Sequence, residues 1–381
     1  MSLSVQHLNA DTTFLLSFSS GQEALRSPCR PFTVLVDPWL TGSSLIWTAR
    51  FSISNHTCES VVSSLRDIPL PDVILISQDK TDHCHEQTLK TLPPDSPVKI
   101  LAVPAAAKKI KSWKYFTRAI IKSLPVYNPR NPDSVIRIPV RPTNPAFGHP
   151  GEITISFVQQ RMDMTGLHNA LGITYLAPCT NSVASLTGET VQLPLSPPLT
   201  PIKMTSQVSA EKLSDSSSRT GPYSPTSHQS SFPKPLSVLY APHGIGLPCL
   251  TPFMKHHLAP MNALPLTLLL HSIDIAQNPW YLGGMVAPGL PGGTQLVKAF
   301  GAKYWLSAHD EAKDNQGWAV AMLKSRRYTL EEAQILLDDD LEKVDELRKT
   351  SISMDGRARY RPGSTRLINL SPGEQLNMTA A

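Results

Sequence analysis

The sequence predicts a layered α/β protein, and three observations support this fold class. Short apolar segments with a β-branched bias alternate with helical segments over residues 12–116, in the order β, α, β, α. Later apolar segments such as "LSVLY" and "YWLS" have the length of buried strands. Apolar residues make up 41% of the 381 residues, so the chain can bury a sizeable core.

The predicted elements follow one another along the chain. Alternation in "ITISFV" is typical of a half-buried strand. Pro93-Pro94 ends the predicted helix "HEQTLKTL". The predicted strands are "TTFLLSF", "FTVLVDPWL", "VILIS", "VKILAVP", "DSVIRIPV", "GEITISFVQQ", "NALGITYLA", "LSVLYAPHG", "LPLTLLLHS" and "KYWLSAHDE". The predicted helices are "HEQTLKTL", "AAAKKIKSWKYF", "GGTQLVKAFGA" and "TLEEAQILLDDDLEKVDELRK". "TRLINL" is either a short strand or part of a loose tail.

Composition divides the chain into three regions. Ser, Thr and Pro dominate residues 188–235, a stretch that offers little to bury and predicts a disordered insertion between two strands. The insertion lies within a predicted domain of residues 1–330. A C-terminal helix and tail are expected over residues 331–381.

Charge and cysteine usage limit the classes of partner and compartment. The net charge is +5, but Lys and Arg are scattered and form no basic run, so no nucleic-acid partner is expected. Five widely spaced cysteines without a CxxC pair favour a reducing compartment. The N-terminus lacks the pattern of a signal peptide, and "LPLTLLL" is too short for a membrane span. We therefore expect a soluble, cytoplasmic protein.

Histidines and acids stand at the ends of several predicted strands. Residues at the carboxyl ends of strands in layered α/β folds meet at one edge of the sheet, where ligands bind. One such histidine is more often a packing or capping residue, but a series of them indicates a metal site. The series comprises Asp82, His83, His168, His243, His271 and His309.

In this order the residues resemble the metallo-β-lactamase superfamily. That family shows a strand with Asp near its end (here "VLVDPWL"), a His-x-His-x-Asp-His loop, a lone His before a strand, an Asp after another strand, and a final His. The resemblance covers roughly residues 10–315 and is strongest to the branch of sugar-phosphate lactonases and N-acyl phospholipid phospholipases, in fungal-type variants. It implies a four-layer αββα sandwich.

The sequence departs from the family pattern within the loop motif. The first two His of the motif fall on Gln78 and Lys80. The Asp-His pair is kept as Asp82 and His83, and the third His falls on His168. The resemblance therefore implies that the family's first metal site keeps one imidazole, whereas the second site keeps its motif ligands.

The remaining family positions fall on two more histidines. The bridging Asp falls on His243, and the final His falls on His309. Because a neutral imidazole does not bridge two metals as a carboxylate does, the resemblance implies one divalent metal held by three His and one Asp. This set suits Zn²⁺ first, with Fe²⁺ or Mn²⁺ as alternatives.

Supporting roles are expected for neighbouring residues. The family position of Asp37 implies that it orients a ligand His, and Gln78 is assigned to orientation by hydrogen bonding. Asp163 and His271 are further candidates for the surroundings of the metal. Other polar residues beside His309 are expected to line the mouth: Asp310, Glu311 and Lys313.

Lys80 has two interpretations. Its ammonium would stand near the place of the lost first metal, where it would hold an anionic substrate oxygen, stabilise an oxyanion or act as a base. The alternative is a salt bridge to Asp79 or Asp82.

Three functions are consistent with these residues. The favoured one is a mononuclear metallo-hydrolase that uses metal-activated water on an ester, lactone, amide or phosphodiester, with Asp82 and Lys80 as catalytic residues and a small, anionic substrate. The alternative is a catalytically inactive binding or scaffold protein of the same fold. A minor alternative is a non-haem iron oxidoreductase.

Overall fold

The computed structural model describes residues 1–20, 30–142, 148–180, 234–350 and 365–379. The predicted insertion lies outside the described residues, except for its last two. The strands, in chain order, are β1 (Ser2–His7), β2 (Phe14–Ser19), β3 (Phe32–Val36), β4 (Ser44–Ile46), β5 (Ser52–Asn55), β6 (Val73–Ile76), β7 (Lys99–Ala102), β8 (Ile120–Ser123), β9 (Val135–Val140), β10 (Gly148–His149), β11 (Gly151–Gln159), β12 (Asn169–Leu176), β13 (Cys179–Thr180), β14 (Leu236–Tyr240), β15 (Leu268–His271), β16 (Ile275–Gln277), β17 (Met285–Ala287), β18 (Tyr304–Ser307), β19 (Asp314–Gln316), β20 (Lys324–Arg326), β21 (Arg366–Ile368) and β22 (Gln375–Thr379).

Helices follow many of these strands. The α-helices are α1 (Glu86–Leu89), α2 (Pro104–Ser112), α3 (Leu247–Phe253), α4 (Gly289–Phe300), α5 (Trp318–Ala321) and α6 (Leu330–Thr350). Shorter turns of 3₁₀ or π type cover Pro132–Ser134, Met254–Leu258 and Trp280–Leu282. No helix in the described part of the chain is long and apolar enough to cross a membrane.

Two seven-stranded sheets carry the fold. The first has the order β22-β1-β2-β3-β6-β7-β8, and the second has the order β21-β18-β15-β14-β12-β11-β9. In each sheet one half is antiparallel and the other half is parallel. The central parallel strands β6, β14 and β15 are fully buried, as expected for strands covered on both faces, whereas the edge strand β8 is mostly exposed.

The sheets pack against each other and are covered by helices. Ring centroids of Phe18 in β2 and Tyr175 in β12 lie 5.3 Å apart across the two sheets. Ile110 of α2 joins the core cluster that also holds the strands of both sheets. A second cluster joins Trp305 of β18 to Leu296 of α4 and Leu337 of α6. The predicted four-layer αββα sandwich is therefore confirmed.

Some elements differ from the sequence-based expectation. Strand β1 was not predicted, although "SLSVQH" alternates between half-buried and buried residues and pairs with β2. Helix α1 is only four residues long, shorter than "HEQTLKTL" suggested. The short-strand alternative for "TRLINL" is correct, since β21 pairs with β18, whereas β22, which pairs with β1, was not predicted.

Candidate metal centre

The parallel strands bring their C-terminal residues to one edge of the sandwich. His83 lies in the loop after β6, His243 lies just after β14, and His309 lies just after β18. The antiparallel neighbours place the turn before β2 at the same edge, because Phe14 pairs with Val36 at the end of β3. This topology joins residues that are distant in the sequence.

Three histidines form the centre of this group. Each of His83, His243 and His309 offers one ring nitrogen, and the three nitrogens lie within 4.8 Å of one another. The Nε2 atoms of His83 and His243 are 3.1 Å apart. His83 and His243 are buried and His309 is half-buried, so these nitrogens have little access to bulk water.

The other ring nitrogen of each histidine has an acceptor as its partner. Nδ1 of His83 lies 2.8 Å from Asp37 Oδ2, and Nδ1 of His243 lies 3.1 Å from the carbonyl of Val286. Nδ1 of His309 lies 3.0 Å from both carboxylate oxygens of Asp11. Because carboxylates and carbonyls only accept, each Nδ1 carries a proton and donates it, which assigns the tautomer. In this tautomer, the Nε2 atom of each ring faces the group and can offer a lone pair to a cation.

A positive charge is required between these lone pairs. Two imidazole nitrogens that face each other at 3.1 Å repel unless a proton or a cation lies between them. Burial disfavours the charged form of His83, but the carboxylates of Asp82 and Asp37 outweigh this effect and raise its pKa. Burial, followed by the charges of His309 and His83, holds the pKa of His243 well below its usual range. Without a cation, the proton therefore belongs to His83.

Asp82 supplies a carboxylate to the same group. Its Oδ2 lies 4.0 Å from His83 Nε2 and 3.8 Å from His309 Nε2. Its Oδ1 is buried and has no hydrogen-bond partner among the described residues. Burial opposes the charge of Asp82, but His83 and Lys313 outweigh burial and lower its pKa.

The donor set fits a single divalent cation. Bonds of 2.0–2.2 Å in a tetrahedral site separate neighbouring ligand atoms by about 3.4 Å. Here the two facing histidine nitrogens are 3.1 Å apart, Asp82 Oδ2 lies 3.8–4.0 Å from two of the rings, and all three histidine nitrogens lie within 4.8 Å of one another. Three imidazoles and one carboxylate are ligands for Zn²⁺, Fe²⁺ or Mn²⁺. An orphaned carboxylate oxygen beside three inward lone pairs is the arrangement that a cation would satisfy.

Asp37 fixes the orientation of His83. Its carboxylate accepts hydrogen bonds from Ser77 N at 2.7 Å and from Tyr240 Oη at 2.8 Å, besides the bond from His83. Asp37 has φ 42°, and His309 has φ 74°. Backbone in this left-handed region is costly for residues other than glycine and often occurs at functional sites.

Asp11 is the residue of this centre that the sequence analysis missed. It is fully buried and holds both His309 and Lys313, whose Nζ lies 2.7 Å from Asp11 Oδ2. Although burial opposes its charge, these two neighbours hold the pKa of Asp11 well below the usual range. The available signal was an acid just before a strand, "DTTFLLSF", whose partner strand ends at Val36, next to Asp37.

Lys313 is the ammonium of the centre. Its Nζ lies 4.0 Å from Asp82 Oδ2 and 5.3 Å from the centroid of the Trp39 ring. Burial lowers the pKa of Lys313, but Asp11 and Asp82 outweigh burial and raise it, so the side chain stays charged. Its 3.3 Å approach to His309 Nδ1 brings together two donors that share Asp11 as acceptor.

Lys80 and Gln78 occupy other surroundings. Lys80 Nζ lies 3.1 Å from Asp79 Oδ1, and both side chains are about one-third exposed. Gln78 is buried and donates from Nε2 to the carbonyl of Leu167 at 2.9 Å, which leaves its Oε1 without a partner among the described residues. Of the two interpretations of Lys80, the structure shows the second, a salt bridge to Asp79.

The structure does not bring His168 into the group of three. Its Nδ1 lies 3.0 Å from the carbonyl of His243, and its Nε2 lies 3.0 Å from the carbonyl of Met285. Asp163 accepts a hydrogen bond from the backbone N of His168 at 2.7 Å rather than from its ring. Both residues therefore fix the loop beside the centre.

His271 lies at the end of β15 but outside the group. Its Nδ1 donates to the carbonyl of Ser272 at 2.6 Å, and its buried Nε2 has no hydrogen-bond partner among the described residues. Burial lowers the pKa of His271 to about 4, so the ring is neutral.

Comparison with known proteins gives structural neighbours only. No protein family and no curated protein matches the chain. An isothiocyanate hydrolase from Delia radicum gut bacteria superposes with a TM-score of 0.47 and 12% identity, covering 100% of both chains. A metallo-β-lactamase fold protein from Bacillus subtilis superposes with a TM-score of 0.43 and 11% identity, covering 99% of both chains. A diiron β-hydroxylase from Streptomyces venezuelae superposes with a TM-score of 0.46 and 11% identity, covering 99% of this chain and 54% of that chain. The functional proposal therefore rests on the geometry of the centre.

Proposed function

We propose that this protein is a mononuclear metal-dependent hydrolase of the metallo-β-lactamase superfamily. The metal would be held by His83, His243, His309 and Asp82. The observation that carries the proposal is the convergence of three Nε2 lone pairs, each fixed by an acceptor on the opposite ring nitrogen. Zn²⁺ is the proposed ion, because tetrahedral nitrogen and oxygen sets are typical of it, with Fe²⁺ and Mn²⁺ as alternatives.

The chemistry divides between the ion and the side chains. A divalent cation bound here would polarise an ester, lactone, amide or phosphodiester and activate water for hydrolysis. Asp82 Oδ1, buried and without a partner among the described residues, would accept the proton that the attacking water loses. Lys313 would keep Asp82 ionised, since its ammonium is 4.0 Å from the carboxylate.

Substrate and compartment are further parts of the proposal. Lys80 remains a candidate contact for a small anionic substrate, because its pair with Asp79 is partly exposed and such pairs contribute only about 0–1 kcal/mol. The cytoplasm remains the expected compartment, and the free thiols of Cys58, Cys84 and Cys249 support a reducing environment.

Metal analysis of the full chain, purified without a histidine tag, tests this function. We expect about one equivalent of divalent metal per chain in the native protein, and its loss in His83→Ala and His309→Ala. His257→Ala is the matched control, since His257 is also buried but contacts Thr154 in another part of the fold. Stoichiometric metal in both ligand variants would contradict the assignment.

A binding protein without catalysis is the second candidate, and one contact favours it. His83 and His243 lie at hydrogen-bond distance, so one shared proton could satisfy both rings in place of a metal. In that case the native protein would bind no divalent ion at micromolar concentrations. Iron as the native metal, together with oxygen uptake, would instead support the oxidoreductase.

A further inference from the structure

Exposed apolar side chains are concentrated on four segments around the metal centre. Met162 and Met164 are fully exposed, whereas Trp47 and Trp280 are 84% and 87% exposed. Folded chains rarely present so many large apolar side chains together without a partner. We call the following set the apolar belt: Leu45, Trp47, Met162, Met164, Trp280, Tyr281, Met285 and Trp318.

Contacts join the segments of the belt on one side. Tyr281 Oη lies 3.4 Å from Met322 Sδ. Because Met322 directly follows α5, this contact links the segment of Trp280 and Tyr281 to the helix that carries Trp318. A Cβ placed on Gly283 would lie 2.6 Å from Thr165 Cγ2, so the turn that carries Met162 and Met164 packs against the segment of Trp280.

Aromatic rings join the segments on the other side. The Phe51 ring lies 4.4 Å from the Trp47 ring and 4.8 Å from the Trp318 ring, measured between centroids. The backbone N of Trp318 also donates to the carbonyl of Arg50 at 3.1 Å. Direct contacts therefore connect the four segments of the belt into one surface.

The belt borders the metal centre. Val286, next to Met285, accepts the hydrogen bond that fixes His243. On the opposite side, Thr81 Oγ1 donates to the carbonyl of Leu45 at 2.7 Å, and Thr81 precedes Asp82. A surface that covers the belt would therefore lie beside the metal centre.

Basic side chains accompany the apolar ones. The belt segments and the adjoining β20 carry more exposed cations than anions. Strand β20 pairs with β16, which in turn pairs with the strand of Met285. The exposed cations are Arg50, Arg161, Lys324, Arg326 and Arg327, of which Arg326 lies 3.5 Å from Glu332 and Arg327 lies 3.9 Å from Asp274. Asp314 is exposed and Asp163 is half-buried, so Arg50, Arg161 and Lys324 provide the excess positive charge of these segments.

We propose that the apolar belt docks this protein on an anionic lipid surface. Trp and Tyr favour the boundary between headgroups and acyl chains, while Lys and Arg are attracted to anionic headgroups. The exposed Arg50, Arg161 and Lys324 beside the aromatic side chains complement anionic headgroups, which is the observation that favours a lipid surface. Docking does not depend on the proposed hydrolase function, because it requires neither metal nor turnover.

Binding of the full chain to vesicles tests the proposal. The probes are vesicles of phosphatidylcholine alone and of phosphatidylcholine with phosphatidylserine, and the measurement is co-sedimentation at low and high salt. We expect binding to the vesicles that contain phosphatidylserine, with affinity falling as salt rises. Absence of binding to these vesicles would overturn the proposal.

Matched variants separate docking from misfolding. We expect the double variant Met164→Ser, Trp280→Ser to bind the anionic vesicles about tenfold more weakly, and Arg161→Gln to reduce the salt dependence. Ile335→Ser is the control, since Ile335 is 62% exposed but lies on α6. Equal binding by the double variant, or a concentration-dependent dimer that this variant abolishes in place of vesicle binding, would overturn the lipid assignment. Thermal unfolding of each variant establishes that it is folded.

Discussion

His83 and His243 face each other with their Nε2 atoms 3.1 Å apart. The Nδ1 atom on the opposite side of each ring donates a hydrogen bond to a fixed acceptor. The two histidines are 160 residues apart in the sequence and follow strands of different sheets. Their positions are fixed independently, by Asp37 for one ring and by the carbonyl of Val286 for the other. The pair is thus pre-organised to share one positive charge.

Metal binding is expected to compete with a proton at this pair. The pKa of His83 is raised above 6.5, because the carboxylates of Asp82 and Asp37 outweigh burial. A cation must displace that proton, so metal affinity should fall as pH is lowered through the raised pKa. Isothermal titration calorimetry in buffers of different ionisation enthalpy measures the proton released. Metal affinity that is independent of pH from 8 to 5 would contradict the competition.

Asp37→Asn is expected to weaken metal binding by about 10–100-fold. The amide keeps the shape and tolerates the left-handed backbone of φ 42°, but it no longer offers two carboxylate oxygens to His83, Ser77 and Tyr240. A fluorescent competition titration with Zn²⁺ measures the change. Asp163→Asn is the control, because Asp163 contacts the backbone of the neighbouring loop. If Asp37→Asn and Asp163→Asn bind Zn²⁺ with equal affinity, then Asp37 does not orient His83 for metal binding.

Asp11→Asn is expected to destabilise the fold by about 3–5 kcal/mol. The substitution leaves the ammonium of Lys313 buried without the carboxylate 2.7 Å away. Urea unfolding measures the loss, and the double variant Asp11→Asn, Lys313→Met should recover part of it. A double variant that is no more stable than the sum of the two single variants predicts would mean that the pair is not coupled as the contact indicates.

The folded protein is expected to lose stability in acid. Burial lowers the pKa of His257 and of His271 to about 4. Between pH 6.5 and about 4, the unfolded chain binds protons at these positions while the folded chain does not. The free energy of unfolding therefore decreases as the pH is lowered through this range. The full window amounts to about 3 kcal/mol for each histidine. Urea unfolding at several pH values should show a flatter profile for His257→Gln than for His256→Gln, its exposed neighbour.

Gly293→Ala is expected to destabilise the protein by about 1–3 kcal/mol. A Cβ at this position would lie 2.2 Å from the Trp305 ring, because α4 approaches β18 closely there. The cost should exceed the gain of about 1 kcal/mol that alanine gives in a helix. The control is Gly246→Ala, whose nearest contact would be 3.4 Å. Thermal unfolding of both variants decides the comparison.

Much of the sandwich could be predicted from local patterns. The apolar runs "VILIS", "LSVLY" and "YWLS" indicate strands because covered parallel strands are apolar along their whole length. Strand β1 was missed, since six weakly alternating residues are stabilised mainly by their partners β2 and β22. Helix α1 was overestimated by four residues: His85 caps its start from outside the helix, and the helix already ends at Leu89, before Pro93-Pro94.

The sequence by itself determined which residue types stand at the strand ends, since His and Asp follow apolar runs regardless of how the strands are ordered. Only the tertiary structure decided which of them meet. It joined His83, His243, His309 and Asp82, and it turned both nitrogens of His168 to backbone carbonyls. It also placed Asp11 and Lys313 beside His309. These outcomes depend on strand order and on buried charge pairing, which act between residues hundreds of positions apart and leave no local pattern.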